Sequence, residues 1–207
     1  MYKQLCFFLL FLASASAYAS SVVSNSSSVT GYGTLHGELS KLTDGVHPTE
    51  ATVWNDTNWN VWWTQGENPQ TASIRIDLGQ VYEITGFTMS VDNNDEYIIM
   101  TSEDGAGWTS LMPLFPQFGE VTFGMDTISS IAGDPEFTPS WTPSPGKARY
   151  VGLLGVAGDG LYSVGEISIY GNRLNPTSAT VPEPTTIALI GLSFAGMGYM
   201  RRRKAQA

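Results

Sequence analysis

Three tryptophans and two asparagines lie close together in the sequence, in the segment 55–65, and have the side chains that a sugar-binding site needs. They are Trp59, Trp62, Trp63, Asn58 and Asn60. A sugar presents apolar C–H faces and a rim of hydroxyl groups, so flat rings beside amide groups suit it. The alternative is that the three rings fill a hydrophobic core, since tryptophan is usually buried.

The sequence contains no pairing of a nucleophile with a base that is typical of an enzyme. The two histidines, His36 and His47, lack the spacing of a zinc protease. The single cysteine, Cys6, lies in the N-terminal apolar run, so no cysteine chemistry is expected in the mature protein. We therefore expect a protein that is not an enzyme. A polysaccharide-active enzyme with its residues in the Pro-rich region 112–147 is the less favoured alternative.

The chain carries a formal net charge of −9 at pH 7. Five of its ten cations are Lys3 and the four residues 201–204, so the part between the two ends is more acidic than the whole. An acidic surface repels the phosphates of nucleic acid, and nucleic acid is not expected as a partner.

Residues 1–19 have the pattern of a secretory signal peptide. Lys3 is followed by an apolar run from Leu5 to Leu12 and then by small residues that end at Ala19. This apolar run is too short to span a membrane as a helix. The pattern predicts export.

Residues 181–207 form a second segment of the sorting type. Its mostly apolar run, residues 185–200, is followed at once by the basic residues 201–204. A helix over this run would be roughly 24 Å long, a little less than the ~30 Å hydrocarbon core of a bilayer. The segment predicts a short transmembrane helix whose basic end stays in the cytoplasm.

The same tail begins with Pro182, Glu183 and Pro184, ahead of the apolar run and the terminal arginines. In this order the three parts resemble the PEP-CTERM sorting signal of Gram-negative bacteria. The resemblance implies processing by an exosortase near the motif and an association with exopolysaccharide. It also implies a precursor anchored in the inner membrane and a mature protein that is secreted or held at the cell surface or outer envelope.

Between the two ends, apolar and polar residues alternate in short runs bounded by glycine, asparagine, aspartate and proline. The apolar positions of these runs are Ile74, Ile76 and Leu78, then Phe87, Met89 and Val91, and finally Ile167 and Ile169. A period of two predicts half-buried strands and favours an all-β fold, an antiparallel sandwich or barrel. The flanking segments 20–37 and 172–180, rich in Ser, Thr, Asn and Pro, are predicted to be linkers.

Four motifs follow one another in this region. They are Leu42-Thr43-Asp44-Gly45 with Thr52-Val53-Trp54, then Ile76-Asp77-Leu78-Gly79, then the stretch from Tyr97 to Trp108 with Asp104-Gly105, and finally Ala148-Arg149-Tyr150-Val151 with the stretch from Glu166 to Gly171. In this order they resemble a discoidin-like domain, also called the coagulation-factor type C or galactose-binding-like domain. The resemblance covers residues 38–171 and implies a jelly-roll β-sandwich of about eight antiparallel strands. It also implies that Trp54 belongs to the core.

The resemblance further implies a structural Ca²⁺ ion, bound in many such modules by the Asp-Gly loop and the glutamate that begins the last strand. The matching positions are Asp44, Thr52 and Glu166, and main-chain carbonyls would complete the six to eight oxygens that Ca²⁺ prefers. The loop between Asp44 and Trp54 is a few residues longer than is usual in the family. The alternative is that Asp44 forms a turn and that Glu166 pairs with a cation such as Arg149.

Two functional hypotheses remain beside the enzyme. A binding module would hold a glycan or exopolysaccharide at the loop edge of the sandwich. A structural matrix protein would use the fold and the acidic surface without a specific ligand.

Overall fold

The structure is a computed structural model that describes residues 21–25, 27–65, 73–141, 143–144 and 146–174. The predicted signal peptide, residues 1–19, and the predicted sorting tail with its transmembrane segment, residues 181–207, lie outside the described residues. Within the described residues, no helix has the length and apolar character needed to cross a bilayer.

Nine strands and two short 3-10 helices make up the described part of the chain. The strands are β1 (Ser21–Val22), β2 (Ser28–Gly31), β3 (Val61–Thr64), β4 (Ile74–Asp92), β5 (Glu96–Ser102), β6 (Thr109–Leu114), β7 (Met125–Ser129), β8 (Gly146–Ala157) and β9 (Leu161–Arg173), and the helices are Leu39–Thr43 and Pro116–Phe118. Every pair of neighbouring strands is antiparallel. The prediction of an all-β antiparallel sandwich is confirmed.

Strand β4 belongs to both layers of the sandwich. Its first part pairs with β2 and β8, and its second part pairs with β7 and β9. The pairing with β8 shifts register between Asp77 and Tyr82, where Gly79 has a φ of 78°. The N–H of Gly79 donates to Asp77 Oδ1 at 2.8 Å, which fixes this bend. Glycine is the residue that adopts this backbone region without strain.

The core lies between the two layers. Ile76 of β4 pairs with Val151 of β8 in one layer, and Phe87 pairs with Ile169 of β9 in the other. All eight apolar positions that the alternating runs singled out are buried. Alternation therefore marks the inner face of each layer correctly. Each fully buried aliphatic or aromatic side chain contributes about 1.5–3 kcal/mol to the free energy of folding.

The segment 20–37 is not a linker, and this prediction is corrected. Strand β1 pairs with β9 (Ser21 opposite Gly171), and β2 pairs with β4. Ser24 is buried, and its Oγ accepts a hydrogen bond from the N–H of Ile169 at 2.9 Å. Serine-rich composition suggested a linker, yet these serines act as hydrogen-bond partners and as edge-strand residues. At the other end, β9 runs on to Arg173, two residues into the predicted linker 172–180.

The Pro-rich region 112–147 contains one complete strand, β7, between longer loops. In this region the buried Trp141 donates from Nε1 to the carbonyl of Pro113 at 3.1 Å and packs near Phe87. The Asp104-Gly105 motif forms a turn after β5. Asp104 Oδ1 accepts the N–H groups of Ala106 and Gly107 at 2.8 and 2.9 Å.

Candidate functional site

Trp59 is exposed on a tight turn that Asp56 organises. The Asp56 carboxylate accepts hydrogen bonds from the backbone N–H and the side-chain amide of Asn58, at 3.0 and 2.9 Å. The Asp56 carbonyl accepts the N–H groups of Trp59 and Asn60. With 47% of its surface exposed, the Trp59 ring offers an apolar face to solvent.

Trp62 is half-buried and stacks on His36. Their ring centroids are 3.9 Å apart with an angle of 17° between the planes. The two backbones also exchange hydrogen bonds, at 2.9 and 3.0 Å. On its other side, Trp62 meets the edge of half-buried Trp54 at 5.3 Å. The stack therefore includes the imidazole ring of His36, whereas the sequence pattern predicted a site with indole rings alone.

Two of the predicted ligand contacts serve the fold instead. Trp63 is only 1% exposed and packs against Tyr97 and Tyr162, so the structure corrects its assignment to a surface site in favour of the core. The period of two in β3 explains this, because Trp62 and Trp63 must point to opposite faces. Asn60 is fully buried, and its amide donates to the carbonyls of Val53 and Trp54. Asn60 therefore holds the loop that carries Trp59.

A cleft of about 560 Å³ opens beside this turn. Its lining residues are Leu35, His36, Gly37, Glu38, Lys41, Thr57 and Asn58. It combines an imidazole ring, an amide, a hydroxyl, an ammonium and a carboxylate, and so contains both donors and acceptors for hydroxyl groups. Of the five predicted ligand residues, Asn58 lines this cleft directly and Trp59 lies next to it in the sequence.

The structure brings together Glu166 and the Asp44-Gly45 turn. The fully buried Glu166 carboxylate accepts the N–H of Gly45 at 3.2 Å and the hydroxyl of Ser168 at 3.2 Å. Burial raises the pKa of Glu166 to about 7, against the opposing effect of these hydrogen bonds. Asp44 itself forms a turn, since its Oδ1 accepts the N–H of Val46 at 2.9 Å. Glu166 is not paired with Arg149, which binds another carboxylate.

Thr52 is placed differently from the other two predicted metal ligands. Its hydroxyl donates to the Thr49 carbonyl at 2.6 Å, and its own carbonyl accepts the N–H of Met125 in β7. No hydrogen bond among the described residues connects Thr52 with Asp44 or Glu166. In the same part of the chain, no group of three or more His, Cys, Asp or Glu side chains is arranged to hold a metal ion.

A second cleft, of about 550 Å³, lies between the loop 45–50 and strands β4, β7 and β9. It is lined by Val22, Asn25, Gly45, His47, Pro48, Thr49, Glu50, Thr88, Thr127, Asp134, Glu136, Ser168 and Tyr170. His47 hydrogen-bonds with Ser90 at 2.8 Å, and burial lowers its pKa although Asp134 and Asp44 oppose the shift. This cleft is acidic and has no indole in its lining.

Sequence reasoning missed His36 and Lys41 at the first cleft and the acidic groups at the second. His36 contacts Trp62 across 26 positions of sequence, and only the pairing of the two backbones brings them together. No local motif marks such a contact. The chain has only two histidines, and this scarcity was the one feature of the sequence that could have drawn attention to His36.

Two family matches cover most of the chain. Residues 22–167 match the F5/8 type C domain, and residues 180–204 match the PEP-CTERM protein-sorting motif. The start of the first match lies within β1, in agreement with the strands found there. Both resemblances noted in the sequence are confirmed. A comparison with curated proteins gives no significant match.

Several solved structures are similar to this chain. One is CpGH89CBM32-5 of Clostridium perfringens in complex with GalNAc-β-1,3-galactose, with 20% identity, a TM-score of 0.45, and coverage of 72% of this chain and 99% of the other. A second is a fucose binding module of Streptococcus pneumoniae, with 10% identity, a TM-score of 0.49, and coverage of 74% and 96%. A third is a fucolectin from striped bass (Morone saxatilis) serum, with 18% identity, a TM-score of 0.44, and coverage of 75% and 50%.

Proposed function

Because this chain belongs to the F5/8 type C domain family, with a PEP-CTERM sorting motif behind the domain, we propose that it is an exported, non-catalytic module that binds carbohydrate. The ligand is a glycan, with exopolysaccharide as the favoured class. The binding surface is the cleft lined by His36 and Asn58 together with the neighbouring Trp59 ring.

The exposed Trp59 beside the ordered Asn58 is the observation that carries this proposal. A large apolar ring left in solvent costs free energy, and the residue before it, Asn58, lines a cleft with many polar groups. The Asp56 carboxylate fixes the Asn58 amide before any ligand arrives, so little conformational entropy would be lost on binding. Lys41 and Glu38 extend the set of groups that can hydrogen-bond to sugar hydroxyls.

The sorting motif supports a route to the cell surface. We propose that an exosortase processes the chain near Pro182, Glu183 and Pro184, after the precursor has been held in the inner membrane by its apolar tail. The mature domain would then be secreted or remain at the outer envelope of a Gram-negative cell. Binding to exopolysaccharide at that place would retain it in the matrix.

A structural Ca²⁺ ion at Glu166 remains part of the proposal. A fully buried carboxylate with a raised pKa, which no lysine or arginine of the described residues pairs with, favours an added cation. Glu166 and the Asp44-Gly45 turn fit such a site, whereas Thr52 bonds within its own turn and would have to be replaced by a main-chain carbonyl. The ion would stabilise the folded domain and take no part in chemistry.

Glycan-array binding followed by calorimetry tests the carbohydrate proposal. W59A should weaken binding by about 1–3 kcal/mol, the scale of a lost aromatic contact and its buried area. N58A should weaken it as well. Phe123, 62% exposed and absent from the cleft, provides the matched control, and F123A should leave the affinity unchanged. If no glycan binds, or if W59A binds like wild type while folded, the structural matrix role takes the place of this proposal.

A further inference from the structure

Three buried side-chain oxygens from three separate segments of the chain have no hydrogen-bond partner among the described residues. They are Glu50 Oε2, Asn93 Oδ1 and Asp126 Oδ1. Asp126 is 1% exposed and Asn93 is 8% exposed. An unsatisfied buried polar atom costs about 1–3 kcal/mol, and more when it is charged. Three such atoms at one place indicate that a partner is missing.

The side chains that carry these oxygens meet in pairs, Glu50 with Asp126 and Asp126 with Asn93. The N–H of Thr127 donates to Glu50 Oε1 at 3.0 Å, which brings the Glu50 carboxyl group against that of Asp126. A Cβ atom at Gly119 would overlap both Asp126 Oδ2 and Asn93 Oδ1, so these two side chains converge on the same point. The amide nitrogen of Asn93 donates to the Val121 carbonyl, so the Asn93 Oδ1 atom points away from Val121.

Within the described part of the chain, no basic side chain pairs with either carboxyl group, since the salt bridge that the structure records there is Arg149–Asp77. Asp126 Oδ2 accepts the N–H groups of Glu120 and Val121, at 2.7 and 3.0 Å. Two adjacent carboxyl groups with no basic partner favour a bound cation.

We propose that Glu50, Asp126 and Asn93 bind a divalent cation of the calcium type. All three donors are oxygens, the ligands that hard cations prefer, and two carboxylates balance the charge of one such ion. Ca²⁺ accepts six to eight oxygens at flexible angles, and water from the second cleft, which Glu50 lines, can supply the rest. This cluster has two carboxylates and one amide. It is therefore not a group of three or more His, Cys, Asp or Glu side chains, the kind of metal site discussed above.

This ion would explain the length of the loop between Asp44 and Trp54. Glu50 lies in that loop, and Ala51 and Thr52 already exchange hydrogen bonds with Met125 at 2.8 Å each. A cation would join the same loop to β7 and to the turn after β4, where Asn93 lies. Thr52 then belongs to the segment that carries this second site, and not to the Glu166 site. The proposal is independent of sugar binding.

Calcium titration of the full chain in the E166Q background tests this site, because E166Q removes the other proposed one. Calcium should still bind there and raise the melting temperature relative to a chelator. Adding E50Q or D126N should weaken calcium binding at least ~10-fold, because affinity follows the number of charged ligands, and adding N93A should weaken it as well, because it removes an oxygen ligand. Glu136 is a neighbouring acid of the second cleft and has no unpartnered buried oxygen. E136Q should therefore change the calcium affinity by less than ~3-fold.

Three results would overturn the proposal. The first is an E166Q protein that binds no calcium. The second is retained affinity in folded E50Q or D126N, which would leave a shared proton as the explanation of the pair. The third is an equal loss of affinity in E136Q and E50Q, which would reduce the effect to general charge. If D126N fails to fold, E50Q decides, since Glu50 is only half-buried and glutamine keeps the size of its side chain.

Discussion

Arg149 holds Asp77 through two hydrogen bonds, from Nε to Oδ1 at 2.8 Å and from Nη2 to Oδ2 at 2.9 Å. Asp77 lies in β4 opposite Tyr150 of β8, so the bond joins two paired strands. The same Oδ1 accepts the N–H of Gly79 at the bend of β4. The pair thus lies at the bend of β4 where the pairing with β8 shifts register. The carboxylate partner of Arg149 is Asp77, and not the Glu166 that the sequence offered as an alternative.

Replacing Arg149 with glutamine should lower stability at neutral pH, and the loss should shrink in acid. Hydrogen bonding to Arg149 holds the pKa of Asp77 below its usual value. The contribution is therefore complete above the unfolded-state pKa of about 3.9 and is lost as the pH falls through the lower folded-state value. Both side chains are partly exposed, so the effect is small. Melting curves of wild type, R149Q and R149K at pH 7 and about pH 3 measure it, and an equal difference at both values would contradict it.

Trp63 and Trp59 should respond in opposite ways to truncation. W63A removes a fully buried ring between Tyr97 and Tyr162 and should cost about 3–5 kcal/mol of unfolding free energy. W59A removes a half-exposed ring and should cost less than ~1 kcal/mol. Urea denaturation of both variants checks this. Comparable losses would mean that the Trp59 turn is part of the core.

In the presence of a chelator, the domain should lose stability as the pH rises from about 4.5 to 7. Burial raises the pKa of Glu166 to about 7, above the ordinary value of 4.5. The folded state then binds more protons than the unfolded chain in this window, so the free energy of unfolding falls with rising pH. E166Q should make this decline less steep without abolishing it, because burial also raises the pKa of Glu50 and Asp95 to about 7, and calcium should reduce it in wild type. Denaturation at several pH values measures the slope, and a stability that increases through this window would refute the assignment.

Alanine at Pro182, Glu183 and Pro184 together should leave an unprocessed, membrane-held precursor. The motif precedes the apolar run, where processing is proposed, and the substitutions leave that run intact. Fractionation and mass measurement of the expressed chain follow the outcome. P176A, in the preceding segment, is the control and should mature normally. Normal maturation of the triple variant would contradict the proposal that this motif directs processing.

The sequence predicted those parts of the fold that depend on local patterns. Alternation identified the inner faces of β4 and β9, and Asp104-Gly105 identified a turn, because each depends on residues a few positions apart. The strands β1 and β2 were missed because their apolar content is low. They are held instead by long-range pairing with Gly171 and Asp77.

The sites were less predictable for the same physical reason. The pattern of tryptophans indicated the loop that carries the proposed sugar site, yet it did not separate the exposed Trp59 from the buried Trp63, since the burial of Trp63 depends on which face of β3 its ring occupies. The unpartnered oxygens of Glu50, Asn93 and Asp126 lie far apart in sequence, and each residue type is common on surfaces. Only their convergence in space shows that they form one site.

Strand β9 pairs with β3 near its beginning and with β1 near its end. Trp62 lies opposite Ser163, and Ser21 of β1 lies opposite Gly171. At about 3.3 Å per residue these two points are roughly 26 Å apart. The start of β1 and the end of β9 therefore lie at the same end of the sandwich, and the stack of His36 on Trp62 lies at the other.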